Sequence, residues 1–154
     1  SEIKYHHPEM GFNSRLDTLQ AAVLTAKLKR LDAWNALRQE AAGIYHELLA
    51  DSQIGLPIVG ESNEHVWHLY VIEVDERDRV LEHLNSMGVG AGIHYPVPVH
   101  LQGAYEHLGY GPGAFPNAEA ASHRILSLPM YPGITESDQE YVVDCLKQAL
   151  GHPA

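Results

Sequence analysis

A long helical pattern near the amino end is the feature that most constrains how this chain folds. Its apolar positions recur at three- and four-residue steps, at Leu16, Leu19, Val23, Ala26, Leu31, Trp34, Leu37, Ala41, Tyr45 and Leu48. This spacing places one apolar stripe along a helix. Ser14 and Asp17 stand where a capping pair would begin it. The pattern predicts one helix from Ser14 to about Ala50, or two helices joined by a bend near Leu31 and Asp32.

In the middle of the chain the sequence pattern changes twice, from strand to helix and back to strand. Residues 66–74 (VWHLYVIEV) are rich in β-branched and aromatic side chains and predict a strand. Residues 75–87 return to helical spacing, and Gly88 follows where a left-handed C-terminal cap is needed. Residues 89–95 are a second strand candidate, so a β-α-β unit is expected.

Prolines divide the remainder of the chain into short pieces. Pro96 and Pro98 lack the amide donors of a central strand, so residues 96–100 are expected to form a rigid connector. Short helices are predicted over 101–108 and 118–126, with a second stiff connector over 128–132. Thr135 is placed to cap a final helix. The whole pattern predicts an α+β fold with few strands.

Composition narrows the class of protein. With 154 residues, 45% hydrophobic and 19% charged, the chain is expected to form about one folded domain. A formal charge of −10 disfavours nucleic-acid binding. No apolar run approaches the roughly 20 residues of a membrane helix, and no signal pattern opens the chain, so we expect a cytoplasmic protein. Cys145 is expected to be a small buried side chain.

Four segments together resemble one protein family. They are GFNSRLDTLQAAVL (11–24), HVWHLYVIEV (65–74), GIHYPVPVHLQGAY (92–105) and SLPMYPGIT (127–135). In this order they are similar to the DegT/DnrJ/StrS-type sugar-nucleotide aminotransferases. The resemblance implies the C-terminal portion of a fold-type I enzyme. Residues 1–30 would then be a remnant of the large domain, carrying an interface loop and a helix. Residues 31–154 would be the small C-terminal α/β domain.

The resemblance also implies an activity for the intact protein. Members of this family use pyridoxal 5'-phosphate (PLP) to pass an amino group, usually from glutamate, to a ketosugar linked to a nucleoside diphosphate. A dTDP- or UDP-linked keto-deoxyhexose, a homodimer and a role in deoxyaminosugar biosynthesis are therefore expected. The alternative is a non-catalytic module that binds sugar nucleotides or supports dimerisation.

The lysine that forms the Schiff base in this family lies upstream of the GFNSR motif. Lys4, Lys27, Lys29 and Lys147 are the lysines of this chain, and none follows a serine after a strand, as the family's lysine does. The opening residues carry neither a strand nor a helix pattern, so the start resembles a cut through a longer protein. We expect no catalytic residue in this chain and no Schiff base on this chain alone.

Two residues of the GFNSR motif are expected to bind the cofactor. By resemblance, Asn13 reaches the PLP phosphate of a neighbouring subunit; a helix-entry cap is its structural alternative. Arg15 has a guanidinium suited to a forked contact with phosphate or carboxylate. An ion pair, at an interface or within the subunit, is the equally weighted alternative for Arg15.

The HYPVPVH stretch is expected to bind substrate. His94, Tyr95 and His100 belong to the HYPVPVH stretch, which lies beside the active site in the family; a histidine satisfied by backbone groups is the alternative.

Tyr5, His6 and His7 precede the GFNSR motif and are expected near a neighbouring subunit's substrate, with a solvated loop as the equal alternative. A metal site is not expected, because His65 and His68, three residues apart on a strand, would point to opposite faces.

Overall fold

The computed structural model describes residues 3–151. Its helices and strands follow in the order α1 (Thr18–Leu28), α2 (Leu31–Leu49), β1 (Tyr70–Glu73), α3 (Arg77–Ser86), α4 (Pro116–Arg124), β2 (Ile125–Leu128) and α5 (Glu136–Ala149). Two 3₁₀ helices, Val99–Leu101 and Gly103–Leu108, stand between α3 and α4. The prediction of an α+β fold is confirmed.

The amino-terminal pattern forms two helices, which confirms the second of the two predicted arrangements. The first helix begins later than Ser14, because the Asp17 carboxylate accepts a hydrogen bond from the Gln20 amide at 2.8 Å and caps α1 at Thr18. Lys29 and Arg30 separate α1 from α2. The predicted bend therefore lies at residues 29–30, just before the expected position.

One hydrophobic core joins α2, α3, α5 and the sheet. Its largest fully buried side chains include Tyr45, Tyr70, Leu49, Ile72, Leu84, Leu126 and Leu146. The Tyr45 hydroxyl donates to the Pro129 carbonyl at 3.0 Å. Burial of the ring raises the pKa of Tyr45 above its ordinary value. Cys145 is buried in this core, as its prediction required.

The sheet contains two antiparallel strands, with Tyr70 opposite Leu128 and Glu73 opposite Ile125. The first strand is shorter than the predicted 66–74. The predicted strand over 89–95 was wrong: only Gly92 pairs, through a bridge to Ser127 on β2. Glycine weakens a strand, since it adds no packing side chain and loses more backbone entropy. The expected β-α-β unit is thereby reduced to one strand, a helix and a single bridge.

The sequence pattern did not predict the second strand, β2. The predicted helix over 118–126 runs instead over Pro116–Arg124, and Ile125–Leu128 forms β2. The short apolar run ILSL suits either helix or strand spacing, which explains the error. Buried Arg77 marks the junction, because its Nη1 donates to the carbonyls of Ser122 and Ile125 at 3.2 and 3.3 Å.

The connectors and caps agree more closely with the sequence. Residues 96–98 form no strand, as the prolines require, although the helix predicted over 101–108 consists of 3₁₀ turns. Gly88 has a φ of 79°, the left-handed conformation expected of it. Thr135 and Asp138 form a reciprocal capping box at the start of α5. Gly88 follows the end of α3 and Thr135 caps α5, so the two caps bound residues 89–134.

Candidate functional site

Two segments that are distant in sequence meet in one cleft. The loop before α1 contributes Tyr5, His7 and Gly11, and the residues on either side of the proline-stiffened connector contribute Tyr95 and Tyr105. The cleft has a volume of about 640 Å³. We call it the main cleft. The region that begins the GFNSR motif and the HYPVPVH region therefore share one concave surface.

Gln102 joins the two walls of the main cleft. Its Nε2 donates to the Tyr5 carbonyl at 2.9 Å, and its Oε1 accepts from the His7 amide at 2.9 Å. The Ala104 amide donates to the His7 carbonyl at 2.8 Å beside it. A Cβ added at Gly103 would lie 3.1 Å from the Pro8 Cα, so a glycine allows this close approach. The buried amide of Gln102 thus holds the loop in place.

Sequence reasoning missed Gln102. The residue stands among apolar and small neighbours in HLQGAY, in a segment too short for a reliable helical period. A polar side chain at that position, followed directly by glycine, was the available signal. Its role depends on the loop at residues 5–7, which is distant in sequence.

The Tyr5 ring packs against the two residues that precede the connector. It makes edge-to-face contacts with Tyr95 and His94, with ring centroids 5.1 and 6.1 Å apart. Its backbone has a φ of 66°, which turns the loop at this residue. Tyr5, His7 and Tyr95 consequently line the main cleft together, whereas His94 contacts the Tyr5 ring without lining this cleft.

The His94 ring is held by β2. Its Nδ1 lies 2.9 Å from the Ser127 Oγ, and the Ser127 backbone pairs with Gly92 two residues before His94. A Cβ on Gly92 would lie 3.3 Å from the His94 Cε1, so glycine leaves room for the ring. Burial lowers the pKa of His94, and the charges of Lys4 and His68 lower it further. Neutral imidazole is therefore favoured near neutral pH.

His100 has a different environment. Its Nε2 lies 3.0 Å from Glu119 Oε1, and its ring packs edge-to-face on Phe115 at 4.8 Å. The Glu119 carboxylate also accepts hydrogen bonds from the Gly113 and Phe115 amides, and these bonds hold its pKa below the ordinary value. His100 lines a neighbouring apolar groove of about 570 Å³, which shares Tyr95 with the main cleft.

The predicted cofactor residues lie outside the lining of the main cleft. Asn13 and Arg15 are exposed, two and four positions beyond Gly11. Neither side chain forms a hydrogen bond or ion pair with any residue of the described range 3–151. His6 is also exposed, and its amide donates to the Ile3 carbonyl at 3.2 Å. Asn13 and Arg15 are thus free to bind a group from outside this chain.

The lysines differ in their distance from the main cleft, and Lys4 is beside one of its lining residues. Lys4 has its Nζ 4.7 Å from the centre of the Tyr5 ring, whereas Lys27 and Lys29 are exposed at the end of α1. Lys147 lies on α5. No lysine of the described chain lines the main cleft.

Neither His65 nor His68 belongs to a cluster of metal-ligating side chains, and none occurs within residues 3–151. Both histidines precede β1, so the expected argument from opposite strand faces does not apply to them. His65 Nδ1 instead accepts a hydrogen bond from the Trp67 amide at 2.9 Å. Within the same described range, no helix has the length and apolarity of a membrane span.

The sequence and the fold of this chain are similar to those of known proteins. The protein of Saccharopolyspora erythraea described as erythromycin biosynthesis sensory transduction protein EryC1 is 45% identical over 96% of this chain and 40% of its own length. The dTDP-3-amino-3,4,6-trideoxy-alpha-D-glucose transaminase of Streptomyces venezuelae is 40% identical over 96% of this chain and 39% of its own length. The chain therefore spans about 40% of the length of these relatives.

Solved structures give the same result. The crystal structure of S. venezuelae DesV in complex with a ketimine intermediate matches with a TM-score of 0.84 and 38% identity, over 100% of this chain and 42% of that one. A DegT DnrJ EryC1 StrS aminotransferase from Brucella abortus matches with a TM-score of 0.79 and 38% identity, over 96% and 39% of the two chains. The profile of one family matches residues 1–147. The chain belongs to the DegT/DnrJ/EryC1/StrS aminotransferase family.

Proposed function

We propose that this chain forms the C-terminal part of a PLP-dependent aminotransferase that moves an amino group from glutamate to a dTDP- or UDP-linked ketosugar. The observation that carries this proposal is the main cleft, where the loop preceding the GFNSR motif meets the HYPVPVH region. A cleft lined by tyrosines and a few polar groups suits a sugar nucleotide. The active unit in this proposal is a homodimer.

The donor groups of this chain fit one end of PLP. Asn13 and Arg15 present an amide and a guanidinium that have no partner among residues 3–151, and both are suited to phosphate oxygens. We assign both residues to the cofactor phosphate of a neighbouring subunit. PLP, when bound, supplies the electron sink for amino-group transfer.

The amine that would hold the other end of the cofactor has no candidate in the main cleft. PLP added to this chain alone is therefore expected to produce no saturable absorbance band near roughly 400 to 430 nm.

The substrate contacts are assigned to the aromatic wall. Tyr5 and Tyr95 offer ring faces and hydroxyl groups to the nucleotide or the sugar, and His7 adds a hydrogen-bonding ring. Burial lowers the pKa of His94, which favours the neutral ring, and Ser127 aligns this ring, so His94 is suited to bond a sugar hydroxyl without adding charge.

His6 and His100 are also assigned to substrate binding, although neither lines the main cleft. His6 is exposed beside the cleft loop and free to meet a ligand from a neighbouring subunit. His100 belongs to the connector and contacts Glu119 on α4. We therefore propose that His100 affects substrate binding indirectly, by positioning Tyr95 and the residues that follow it.

A chimaeric enzyme tests the proposal. The segment of the S. venezuelae transaminase that matches this chain is replaced by residues 1–154, and amino transfer to its dTDP-linked ketosugar is measured. Activity within about two orders of magnitude of the parent is expected, since the cleft residues are supplied by this chain. A folded, dimeric chimaera that binds PLP but transfers no amino group would contradict the proposal.

A second candidate is a non-catalytic assembly module, and α1 favours it. This helix has no buried residue, and Leu19, Val23 and Leu24 are 81%, 58% and 51% exposed. Such a surface suits a protein partner. This candidate predicts an inactive chimaera and stable association of the isolated chain with a full-length relative, which sedimentation would detect.

A further inference from the structure

A separate cavity of about 440 Å³ lies between the end of α3 and the start of α5. Residues 88–90 form one wall, and Pro129, Tyr131 and Ile134 of the segment before α5 form another. Residues of the first turns of α5 complete the lining. None of these residues lines the main cleft, so the two cavities are distinct. We call this second cavity the tyrosine cavity.

Two tyrosine rings in this cavity are open to a ligand. Tyr131 and Tyr141 are 49% and 50% exposed, which is high for aromatic side chains that line a cavity. The Tyr141 hydroxyl donates to the Met87 carbonyl at 2.9 Å, so this ring is held against the end of α3. Neither ring packs on another aromatic ring of residues 3–151. The electron-rich faces of both rings are therefore available to a positive charge.

The tyrosine cavity also carries a negative charge. Among residues 3–151, Asp138 is the only charged side chain in its lining. The Asp138 Oδ2 accepts the hydrogen bonds from Thr135, whereas Oδ1 has no partner within the same range. The bonds from Thr135 hold the pKa of Asp138 below its ordinary value, so the carboxylate is ionised near neutral pH. In a chain with a formal charge of −10, such a cavity attracts cations and repels anions.

The remaining lining selects the kind of cation. Val89 and Val142 are buried and Ile134 is partly buried, so much of the wall is apolar. A calcium or magnesium ion requires about six or more oxygen ligands, and the cavity offers one carboxylate. An organic cation suits the lining better, because its carbon groups pack on apolar walls while its charge meets the rings and the carboxylate.

We infer that the tyrosine cavity binds a small organic cation, an ammonium group with alkyl substituents. Two kinds of ligand share this chemistry. A primary ammonium can donate a hydrogen bond to the free Asp138 oxygen, whereas a quaternary ammonium can only contact the carboxylate and the two rings. The inference concerns a surface outside the main cleft and does not depend on the aminotransferase proposal.

Titration of the isolated chain tests this inference. Methylammonium, tetramethylammonium and the neutral tert-butanol are added in separate arms at constant ionic strength, and the ring resonances of Tyr131 and Tyr141 are followed by NMR. These resonances are assigned by their loss in Tyr131→Leu and Tyr141→Leu. We expect saturable shifts with at least one cation, at millimolar concentration, and binding of tert-butanol at least about tenfold weaker. Binding of methylammonium alone identifies a site for primary amines, and binding of tetramethylammonium alone identifies a site for quaternary ammonium groups.

Two pairs of variants separate the rings from the charge. Tyr131→Leu removes a ring but keeps an apolar side chain, and it should weaken binding of the cation about threefold or more. Its control is Tyr110→Leu, which changes a tyrosine of 51% exposure outside the cavity. Asp138→Asn keeps an oxygen that can accept from Thr135 and should weaken binding of methylammonium about fivefold or more. Its control is Glu136→Gln, which removes the same charge from the same helical turn outside the lining.

Three results would overturn the inference. They are the absence of a saturable shift with both cations, binding of tert-butanol as tight as that of the cations, and equal weakening by each variant and its control. The Tyr131 pair alone is decisive if Asp138→Asn disturbs the start of α5, because Tyr131 lies outside the capping box.

Discussion

Gln102 and Tyr5 are 97 positions apart in the sequence, yet the side-chain amide of Gln102 donates to the Tyr5 carbonyl at 2.9 Å. The same side chain accepts from the His7 amide, so both of its polar ends are used. Burial makes each bond expensive to lose, because an unpaired backbone group would remain. One side chain of the opposite wall therefore supplies two of the hydrogen bonds that hold the loop wall of the main cleft, beside the backbone bond from the Ala104 amide to the His7 carbonyl.

Gln102→Ala is expected to loosen that loop. The free energy of unfolding should fall by about 1–3 kcal/mol, and amide hydrogens of residues 5–10 should exchange faster than in the parent. Denaturant titration and hydrogen exchange measure the two effects. Gln148→Ala, at an exposed position of α5, is the matched control and should change neither. Unchanged exchange in the loop of the Gln102 variant would refute the role given to this amide.

The caps and the connectors of this fold were predictable from local chemistry. Gly88 and Thr135 are required by backbone geometry at one or two positions, and short-range rules describe such requirements well. The strand β2 was not predictable, because a four-residue apolar run has no distinguishing period and its pairing partner, β1, is more than fifty positions away.

Some residues of the site were predictable from local sequence, and others were not. Tyr5, His7 and Tyr95 were expected to bind substrate and lie in the main cleft, although their contacts with substrate stay predictions. Gln102 and the link between His94 and Ser127 depend on long-range packing, which no local pattern encodes.

A buried amide in the core gives a prediction with a defined pH dependence. Gln139 is fully buried, and its Nε2 donates to the Ala41 carbonyl at 2.7 Å. Gln139→Glu places an acid there, whose pKa in the folded state should be raised by burial. The folded variant then favours the protonated form, so its deficit in unfolding free energy grows as the pH rises above the ordinary glutamate pKa.

Urea titrations at pH 5 and pH 8 measure this difference. The variant should lose more stability relative to the parent at pH 8 than at pH 5. Gln148→Glu, on the exposed surface of α5, should show no such difference. Equal deficits at the two pH values would mean that the side chain at 139 reaches solvent.

The capping box of α5 predicts an acid-sensitive contribution. Hydrogen bonds from Thr135 lower the pKa of Asp138, so this carboxylate stabilises the fold above its unfolded-state pKa. That stabilisation is lost as the pH falls through the folded-state pKa. Thr135→Ala should remove the cap and destabilise the fold by about 0.5–2 kcal/mol at pH 7, with a smaller effect in acid. Thermal unfolding at pH 7 and pH 3 tests both statements; Ser137→Ala, within the first turn but outside the box, is the control.

Asn13 is expected to affect cofactor affinity without affecting the fold. In the chimaera, Asn13→Ala removes an amide that has no partner among residues 3–151, so unfolding should be unchanged. Loss of a hydrogen bond to a charged phosphate should weaken PLP binding about tenfold or more. Fluorescence titration with PLP measures the affinity. Asn117→Ala, exposed on α4, is the control, and equal affinities for the two variants would exclude Asn13 from the phosphate site.

The exposed face of α1 predicts self-association of the isolated chain. Leu19, Val23, Leu24 and Leu28 are all more than half exposed, and they lie on a helix that buries none of its residues. A contiguous apolar surface of this kind is usually covered by protein. Sedimentation velocity should therefore detect concentration-dependent oligomers.

Leu19→Glu combined with Val23→Lys should shift the chain toward monomer, because charge opposes burial of the face, while α2 and the core remain intact in circular dichroism. Leu108→Glu changes a leucine outside α1 that is also more than half exposed, and it should leave the oligomers in place. A parent chain that is monomeric at all concentrations, with a cooperative melt, would show that α1 is stable without a partner.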